Sequence, residues 1–272
     1  MDYSFVKNKL IYVPIILFVF FSFWWLYLRG LDLNLTENPR QLFALLYQIM
    51  SIYGGIIGII IANKWGGYKS ILGKVILAFS IGLLFQSLGQ SIYSYFIYFK
   101  KIEVPYPSLG DIGYFGSVIL YIIGAIYLAN VSGFKFSFQS FKGKFISIII
   151  PLLILISSYL FFLNGYEYDW SNKLKMFLDF GYPLGQAFYL SIALLAFLMS
   201  RNILGGLMKK PIIFIILALV FQYLCDFTFL YQASRGAWYV GGVNDYMYFT
   251  SYFIMTLALI YMGSMFKKIQ ES

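Results

Sequence analysis

Eight long apolar runs divide this sequence, and their length limits what the chain can fold into. They lie near residues 10–28, 41–62, 74–98, 109–131, 144–163, 174–200, 211–232 and 244–266. Crossing about 30 Å of hydrocarbon takes roughly 20 apolar residues in a helix, and a helix satisfies its own backbone polar groups inside a bilayer. The sequence therefore predicts an all-α, polytopic membrane protein with eight transmembrane helices.

The composition agrees with this fold class and narrows the chemistry. Hydrophobic residues make up 61% of the chain and charged residues 11%, proportions that an ordinary soluble domain does not have. The sequence has no histidine and a single cysteine, Cys225, so the usual ligands of haem and zinc and the commonest neutral-pH acid–base group are missing. These absences weigh against many membrane enzymes, and we predict no catalytic residue, metal ligand or cofactor.

Basic residues are shared unevenly between the loops on the two sides of the predicted helices. Thirteen fall on the side of both termini and seven on the other side. The positive-inside rule then places both termini in the cytoplasm. The sequon Asn34-Leu35-Thr36 lies in an outer loop and is therefore a candidate glycosylation site.

The formal charge of +9 is mostly this topological signal, so we expect no nucleic-acid partner. We predict a single multi-pass domain, residues 1–272, in the lipid bilayer of the cell membrane.

An internal repeat relates the two halves of the chain. LLFQSLGQSIYSY from Leu83 matches LVFQYLCDFTFLY from Leu219 at an offset of about 136 residues, and GDIGYFGS from Gly110 matches NDYMYFTS from Asn244. The alignment pairs Gln86 with Gln222, Gln90 with Asp226, Asp111 with Asp245 and Tyr114 with Tyr248. Four helices per unit make the two halves parallel, with repeats near 1–135 and 136–272 and a ligand site expected between them.

Several polar side chains lie within these apolar helices or at their outer ends. A carboxylate facing lipid costs about 2.5–3.5 kcal/mol on insertion scales, so such groups face a protein interior or a wet cavity. Spacings of three and four residues place them in stripes on individual helices. We predict an outward-facing, aromatic-walled polar cavity that binds a small molecule or a cation, lined by Asp226, Gln222, Gln86, Gln90, Asp179, Gln186, Asp111, Asp245, Tyr114 and Tyr248.

Structural roles for some of these residues remain open. Ser108 and Asp111 have the spacing of a capping box, and Asn244 before Asp245 can cap the eighth predicted helix. The glutamines can serve as hydrogen-bonding groups between helices. Pro183 has no N–H to donate to the carbonyl of Asp179, four residues earlier. The freed carbonyl can contact a cation or a polar ligand, or Pro183 can form a hinge or an ordinary kink in the sixth predicted helix.

Four segments resemble a family of multi-helix membrane sensor regions found ahead of diguanylate cyclase or histidine kinase domains in bacteria and archaea. They are PYPSLGD…Y (residues 105–114), YPLGQ (182–186), the helix of Asp226 and NDxxY (244–248). The resemblance covers about residues 82–262 and implies a region that passes an external or membrane signal to a cytoplasmic output domain or a separate signalling partner. Two features depart from the family: Gln186 stands where an acidic residue is expected, and only six residues follow Phe266.

Three classes of function remain open from the sequence. A sensor or receptor module is favoured by the predicted outward cavity and by the resemblance. A transporter or channel for a small solute or ion is favoured by the duplicated unit and by Pro183. A polytopic enzyme acting on lipid through its aspartates is the third class, although the sequence has neither a glycine-rich phosphate loop nor an HExxH-like motif.

Overall fold

In the computed structural model, every regular element of the described residues is a helix; these residues are 8–31, 37–132, 141–160, 170–199, 208–234 and 237–270. The sequon Asn34-Leu35-Thr36 lies outside them. The helices are α1 (Tyr12–Arg29), α2 (Glu37–Leu46 continued by Ile49–Lys64), α3 (Ile71–Ser94), α4 (Gly110–Val131), α5 (Phe141–Ser158), α6 (Lys173–Met199), α7 (Lys209–Ser234) and α8 (Val243–Gln270). Short 3₁₀ or π turns adjoin α1 and α3.

Seven of these helices are long and apolar enough to cross a membrane. The exception is α5, whose described apolar stretch is Ile148–Ser157, shorter than the roughly 17–25 residues that a spanning helix needs. The predicted fifth run extends to residue 163, and residues 161–169 lie outside the described part of the chain. The protein is therefore a polytopic helical membrane protein, and its eighth span stays a prediction.

The sequence predicts one continuous helix over residues 41–62, but α2 is divided by a turn at Tyr47 and Gln48. Nε2 of Gln48 donates to the carbonyl of Leu45, and Oε1 accepts from Oγ of Ser91 in α3, both at 2.7 Å. The side chain of Gln48 thus satisfies the backbone carbonyl of Leu45 at the break. Apolar periodicity missed the break because neither Tyr nor Gln is a strong helix breaker.

Six helices pack as a closed ring in the order α2, α3, α4, α6, α7 and α8, with α8 returning to α2. The two remaining helices lie outside this ring: α1 packs against α8 and α2, and α5 packs against α6. Each contact between ring helices of residues 37–131 has a counterpart between helices of residues 173–270. The contact of α4 with α6 likewise has its counterpart in the contact of α8 with α2.

Glycines bring α3 and α4 close together. A Cβ atom at Gly113 would lie 2.6 Å from the carbonyl oxygen of Phe85 and 2.7 Å from Cα of Gly89. A Cβ atom at Gly89 would lie 2.8 Å from the ring of Tyr114. Membrane helices associate through small residues of this kind, because lipid is as apolar as the helix surface. The close approach sets Tyr114 directly against the polar stripe of α3.

The buried core lies on the facing sides of the ring helices. Phe79, Leu83 and Tyr252 are completely or almost completely buried. In contrast, the outer helix α1 leaves large apolar side chains uncovered, and Phe23 is 70% exposed. An apolar outer surface suits contact with lipid, so the polar groups inside the ring stand out as the candidates for function.

Candidate functional site

The first layer of polar contacts consists of a glutamine and a serine in each half of the chain. Nε2 of Gln86 donates to Oγ of Ser117 at 2.6 Å, which joins α3 to α4. Oγ of Ser251 donates to Oε1 of Gln222 at 3.1 Å, which joins α7 to α8. The repeat alignment pairs these glutamines with each other and the serines with each other, so aligned residues are in contact in both halves, although the direction of the hydrogen bond is reversed.

The second layer lies one helical turn further along α3 and α7. The hydroxyl of Tyr114 donates to Oε1 of Gln90 at 2.7 Å, again from α4 to α3. The hydroxyl of Tyr248 donates to Oδ1 of Asp226, again from α8 to α7. The two tyrosine contacts therefore join corresponding helices but differ in chemistry, because Asp226 presents a carboxylate where Gln90 presents an amide.

Asp226 accepts hydrogen bonds on both carboxylate oxygens. Nε2 of Gln186, in α6, donates to Oδ2 at 2.7 Å, and Nε2 of Gln222 donates to the same oxygen at 3.3 Å. The hydroxyl of Tyr248, in α8, donates to Oδ1. We call these four residues the Asp226 cluster. Its donors come from three helices and are all neutral, and among the described residues no lysine or arginine pairs with the carboxylate. Asp226 is partly exposed, whereas the two glutamines are buried.

One hydrogen bond carries the polar core across the ring from the second half to the first. The hydroxyl of Tyr252, in α8, donates to Oε1 of Gln86, in α3, at 3.0 Å. Gln86 therefore uses its amide nitrogen for Ser117 within its own half and its oxygen for the other half. Because Tyr252 stands one turn after Tyr248 in α8, the same helix contacts both halves of the polar core.

Asp111 has both a capping role and a contact between helices. Its Oδ2 accepts from the backbone N–H of Ser108 at 2.7 Å, which confirms the predicted reach-back. The predicted N-cap at Ser108 is wrong, because α4 begins at Gly110 and its N-cap is Leu109. Its Oδ1 accepts from the hydroxyl of Tyr182 in α6 at 2.8 Å. The cap thus also fixes the start of α4 against α6, where the ring passes from one half to the other.

The start of α8 differs from the predicted cap. Asp245 does reach back, since its Oδ2 accepts from the backbone N–H of Gly241 at 2.6 Å, and Gly241 has the positive φ of 71° that favours glycine. The expected cap by Asn244 is wrong, because α8 already begins at Val243. Nδ2 of Asn244 instead donates to the carbonyl of Cys225 in α7 at 2.7 Å, a contact that holds α8 to α7.

Asp179 is not brought to the Asp226 cluster. It lies seven residues before Gln186 in α6, about 10 Å along the axis at 1.5 Å per residue. Its Oδ1 accepts from the hydroxyl of Tyr106, in the connection before α4, at 2.7 Å. The helix runs without interruption through Pro183 between these two positions. Asp179 therefore contacts the connection before α4, as Asp111 contacts the start of α4 and Asp245 the start of α8.

Sequence reasoning missed two aromatic residues of the site. Trp238 lies between Tyr93 of α3 and Phe229 of α7, edge-to-face with both rings at centroid distances of 5.9 and 5.8 Å. Tyr189 of α6 is completely buried, and its hydroxyl has no hydrogen-bond partner among the described residues. Tyr93 and Phe229 continue the polar stripes of α3 and α7, and that continuation is the signal that could have pointed to an aromatic partner.

Each of the ten candidate residues is buried or only partly exposed. Gln86, Gln90, Gln186 and Gln222 are each no more than 4% exposed, while Asp226, Asp111, Tyr114 and Tyr248 are partly exposed. One cavity lies near the start of α6, beside Trp170, and another lies between the ends of α1, α2 and α8. Neither is lined by any of the ten residues, so the predicted outward-facing cavity stays a prediction.

The chemistry of the site is that of one carboxylate among amides and phenols. Within the described residues, no group of three or more histidine, cysteine, aspartate or glutamate side chains is arranged to hold a metal ion. Comparison of the chain with protein-family models, with curated proteins and with solved structures found no match.

Proposed function

We propose that this chain is a multi-pass membrane sensor or receptor module in which a small molecule or a cation acts on the Asp226 cluster. One observation carries this proposal: a single carboxylate accepts hydrogen bonds from α6, from α7 and from α8. A change in the charge or the ligand of Asp226 therefore alters the contacts of three helices together. Differential contacts of this kind are what allow a ligand to shift a protein between two conformations.

The ligand that suits this site is a small cation or an amine. Asp226 carries an acidic group whose described donors are all neutral, and its Oδ1, which accepts from Tyr248 alone, has a second lone pair with which to accept a further contact. Tyr93, Phe229 and Trp238 lie beyond it toward the outer end, and aromatic faces attract cations.

We further propose eight spans in the cell membrane, arranged as two parallel four-helix repeats with both termini in the cytoplasm. The equivalent contacts of Gln90 with Tyr114 and of Asp226 with Tyr248 support the repeats, as does the order of helices in the ring. In this arrangement α5 is the remaining span. The excess of lysine and arginine at one end of the bundle supports the orientation.

The proposed output runs along α8. This helix carries Tyr248 of the Asp226 cluster and continues to Gln270, 22 residues and about 33 Å further along at 1.5 Å per residue. In the proposed orientation its end reaches the cytoplasm, where an output domain or a separate signalling partner would respond. The resemblance to membrane sensor regions supports the same direction of signalling.

Thermal unfolding in detergent tests the proposed ligand site. Wild type, Asp226→Asn and Asp179→Asn are compared across a panel of alkali cations, amines and amino acids, because a ligand that binds only the folded state stabilises it by mass action. We expect a rise in melting temperature that Asp226→Asn abolishes. Asp179→Asn is the matched control, since it removes a carboxylate outside the cluster and should keep the rise. A rise that survives in Asp226→Asn contradicts the proposal.

A transporter for a small solute or cation is the second candidate. The equivalent halves of the helix ring favour it, because transporters built from repeats bind their substrate at the interface of the repeats. Flux into proteoliposomes distinguishes the two functions. Uptake that exceeds empty liposomes and is lost in Asp226→Asn supports transport, whereas binding without flux supports a sensor.

A further inference from the structure

A cavity of about 360 Å³ lies at the end of the bundle opposite the Asp226 cluster. It opens between the start of α1 and the last turns of α2 and α8, about 23 Å along α8 from Tyr248 at 1.5 Å per residue. Its lining includes Lys9, Lys64 and Lys267, with Ile61 and Gly263 on the apolar side. We call it the Lys9 cavity.

Three lysines line the Lys9 cavity without a described counter-charge. All three lysines are exposed, no described residue hydrogen-bonds to their side chains, and no acidic residue is among the lining residues. Lys64 and Lys267 lie in the last turns of their helices, where a cation also complements the helix dipole. Lys9 stands at the start of α1, where the dipole opposes a cation, so the helix dipole does not account for its place.

Hydrogen bonds fix the chain segment that carries Lys9. Oδ1 of Asn8 accepts from the backbone N–H of Leu10 at 3.2 Å, and its Nδ2 donates to Oγ of Ser264 in α8 at 3.0 Å. The hydroxyl of Tyr53, in α2, donates to the carbonyl of Leu10 at 2.8 Å. The backbone of Lys9 is thereby held between α2 and α8, which lowers the entropic cost of binding a ligand there.

The ends of α2 and α8 are fixed to each other as well. Nε1 of Trp65 donates to the carbonyl of Met262 at 3.1 Å, and its ring packs edge-to-face on Phe266 at 5.2 Å. Between these helices Gly263 faces Ile61, and a Cβ atom at Gly263 would lie 3.0 Å from the Ile61 side chain. The absence of a side chain at Gly263 therefore lets Ile61 pack closely against α8, and the lysines stand on helices of fixed spacing.

We propose that the Lys9 cavity binds a phosphate-bearing anion, either the headgroup phosphate of an anionic phospholipid or a free phosphate ion. Lysine binds phosphate as a point charge, and an anion bound at a cavity lined by three lysines offsets the repulsion between their ammonium groups. Basic pockets between membrane helices at their lysine-rich end are suited to phospholipid headgroups. This site is independent of the Asp226 cluster, so either proposal can fail without the other.

The decisive comparison uses two double variants of the full chain. Lys64→Gln/Lys267→Gln removes two charges from the cavity. Lys69→Gln/Lys74→Gln removes two charges at the same end of the bundle, where each ammonium lies over a tyrosine ring, Lys69 over Tyr68 and Lys74 over Tyr127. The probes are dioctanoyl phosphatidic acid and inorganic phosphate, with dioctanoyl phosphatidylcholine as the zwitterionic reference. Binding is measured by native mass spectrometry for the lipids and by titration calorimetry for phosphate.

A lysine near a charged membrane surface contributes about fivefold to affinity, so the cavity variant should bind phosphatidic acid about 25-fold more weakly than wild type. The control variant should stay within a few fold of wild type, and Lys64→Arg/Lys267→Arg should restore binding. If only phosphatidic acid binds, the cavity is a lipid headgroup site. If inorganic phosphate displaces phosphatidic acid and binds as tightly, the cavity is a free-anion site. Equal weakening in both double variants, or no preference over phosphatidylcholine, overturns the proposal.

Discussion

Nε2 of Gln186 lies 2.7 Å from Oδ2 of Asp226, and this hydrogen bond joins α6 to α7. Gln222 reaches the same oxygen from within α7, but at 3.3 Å. Gln186→Leu removes the shorter of the two bonds and should lower the free energy of unfolding by about 1.5–3 kcal/mol, the range for hydrogen bonds to charged groups. Gln222→Leu should cost less than this.

Unfolding of the two variants by denaturant in detergent measures the difference. Gln222→Leu also removes the acceptor of Ser251, but that hydroxyl keeps the carbonyl of Ala218 as a second acceptor at 3.2 Å. The smaller loss for Gln222→Leu is therefore expected despite its extra contact. A loss for Gln222→Leu that equals or exceeds that for Gln186→Leu contradicts this ranking of the two bonds.

The aligned tyrosines Tyr114 and Tyr248 offer a comparison of one geometry with two acceptors. Tyr248→Phe removes a donor from the Asp226 carboxylate, whereas Tyr114→Phe removes a donor from the Gln90 amide. Hydrogen bonds to ionised groups are about twice as strong as neutral ones. We expect Tyr248→Phe to lose about twice as much stability as Tyr114→Phe at alkaline pH, where the Asp226 carboxylate is ionised.

The matched background for this pair is Asp226→Asn, which makes the second half neutral like the first. In that background the two tyrosine substitutions should cost similar amounts, because each then removes a phenol from an amide oxygen. Thermal melting of wild type, the single variants and the two double variants forms the required cycle. If Tyr248→Phe still costs more than Tyr114→Phe in the Asp226→Asn background, the charge of Asp226 is not the cause of the larger loss.

The sequence was most predictive where the same pattern of polar residues recurs in two helices. The offset that pairs Gln90 with Asp226 predicted that these residues occupy corresponding positions, and each does accept a hydrogen bond from a tyrosine hydroxyl. The bounds of the long helices also follow the apolar runs, since lipid requires nearly every spanning residue to be apolar. Corresponding positions and helix bounds are both determined within a single helix, so the local sequence pattern already predicts them.

Contacts between distant segments lay beyond the sequence pattern. Gln186 meets Asp226 because α6 packs on α7, and spacing within either helix says nothing of that packing. Trp238 belongs to a connection without periodicity, so its position between Tyr93 and Phe229 had no local signal of its own. Asn244 has the composition of a helix cap, but its side chain instead finds a backbone carbonyl of α7.

Trp238 should control access to the polar core from the outer end. The chain has a single cysteine, Cys225, which is completely buried one turn before Phe229 in α7. Trp238→Ala removes the ring that packs against Phe229, so a small water-soluble thiol reagent should modify Cys225 at least several-fold faster than in wild type. Mass spectrometry of the intact protein follows the reaction with methanethiosulfonate reagent in the folded, detergent-solubilised state.

Trp170→Ala is the control for Trp238→Ala, because Trp170 is a loop tryptophan that is 71% exposed and remote in sequence from α7. It should leave the rate of Cys225 modification unchanged. The melting temperatures of both variants are recorded in parallel, so that global unfolding is separated from local opening. Equal rates for Trp238→Ala and wild type would exclude Trp238 as a barrier to the core.

Two completely or nearly completely buried tyrosines should respond in opposite directions to loss of the hydroxyl. The hydroxyl of Tyr252 donates to Gln86 at 3.0 Å, so Tyr252→Phe should cost about 0.5–1.5 kcal/mol, as is usual for a neutral hydrogen bond. The hydroxyl of Tyr189 has no partner among the described residues. Tyr189→Phe removes a buried group that is not satisfied, and it should leave stability unchanged or raise it.

Denaturant unfolding in detergent compares Tyr189→Phe with Tyr252→Phe under one set of conditions. A loss of stability in Tyr189→Phe similar to that in Tyr252→Phe would reveal a bound water or ligand that accepts from the Tyr189 hydroxyl. In that case the loss should depend on the cation or amine that stabilises wild type, and it should disappear in Asp226→Asn if one ligand contacts both residues. A gain of stability in every buffer instead means that Tyr189 only packs against Tyr121, edge-to-face at 5.9 Å.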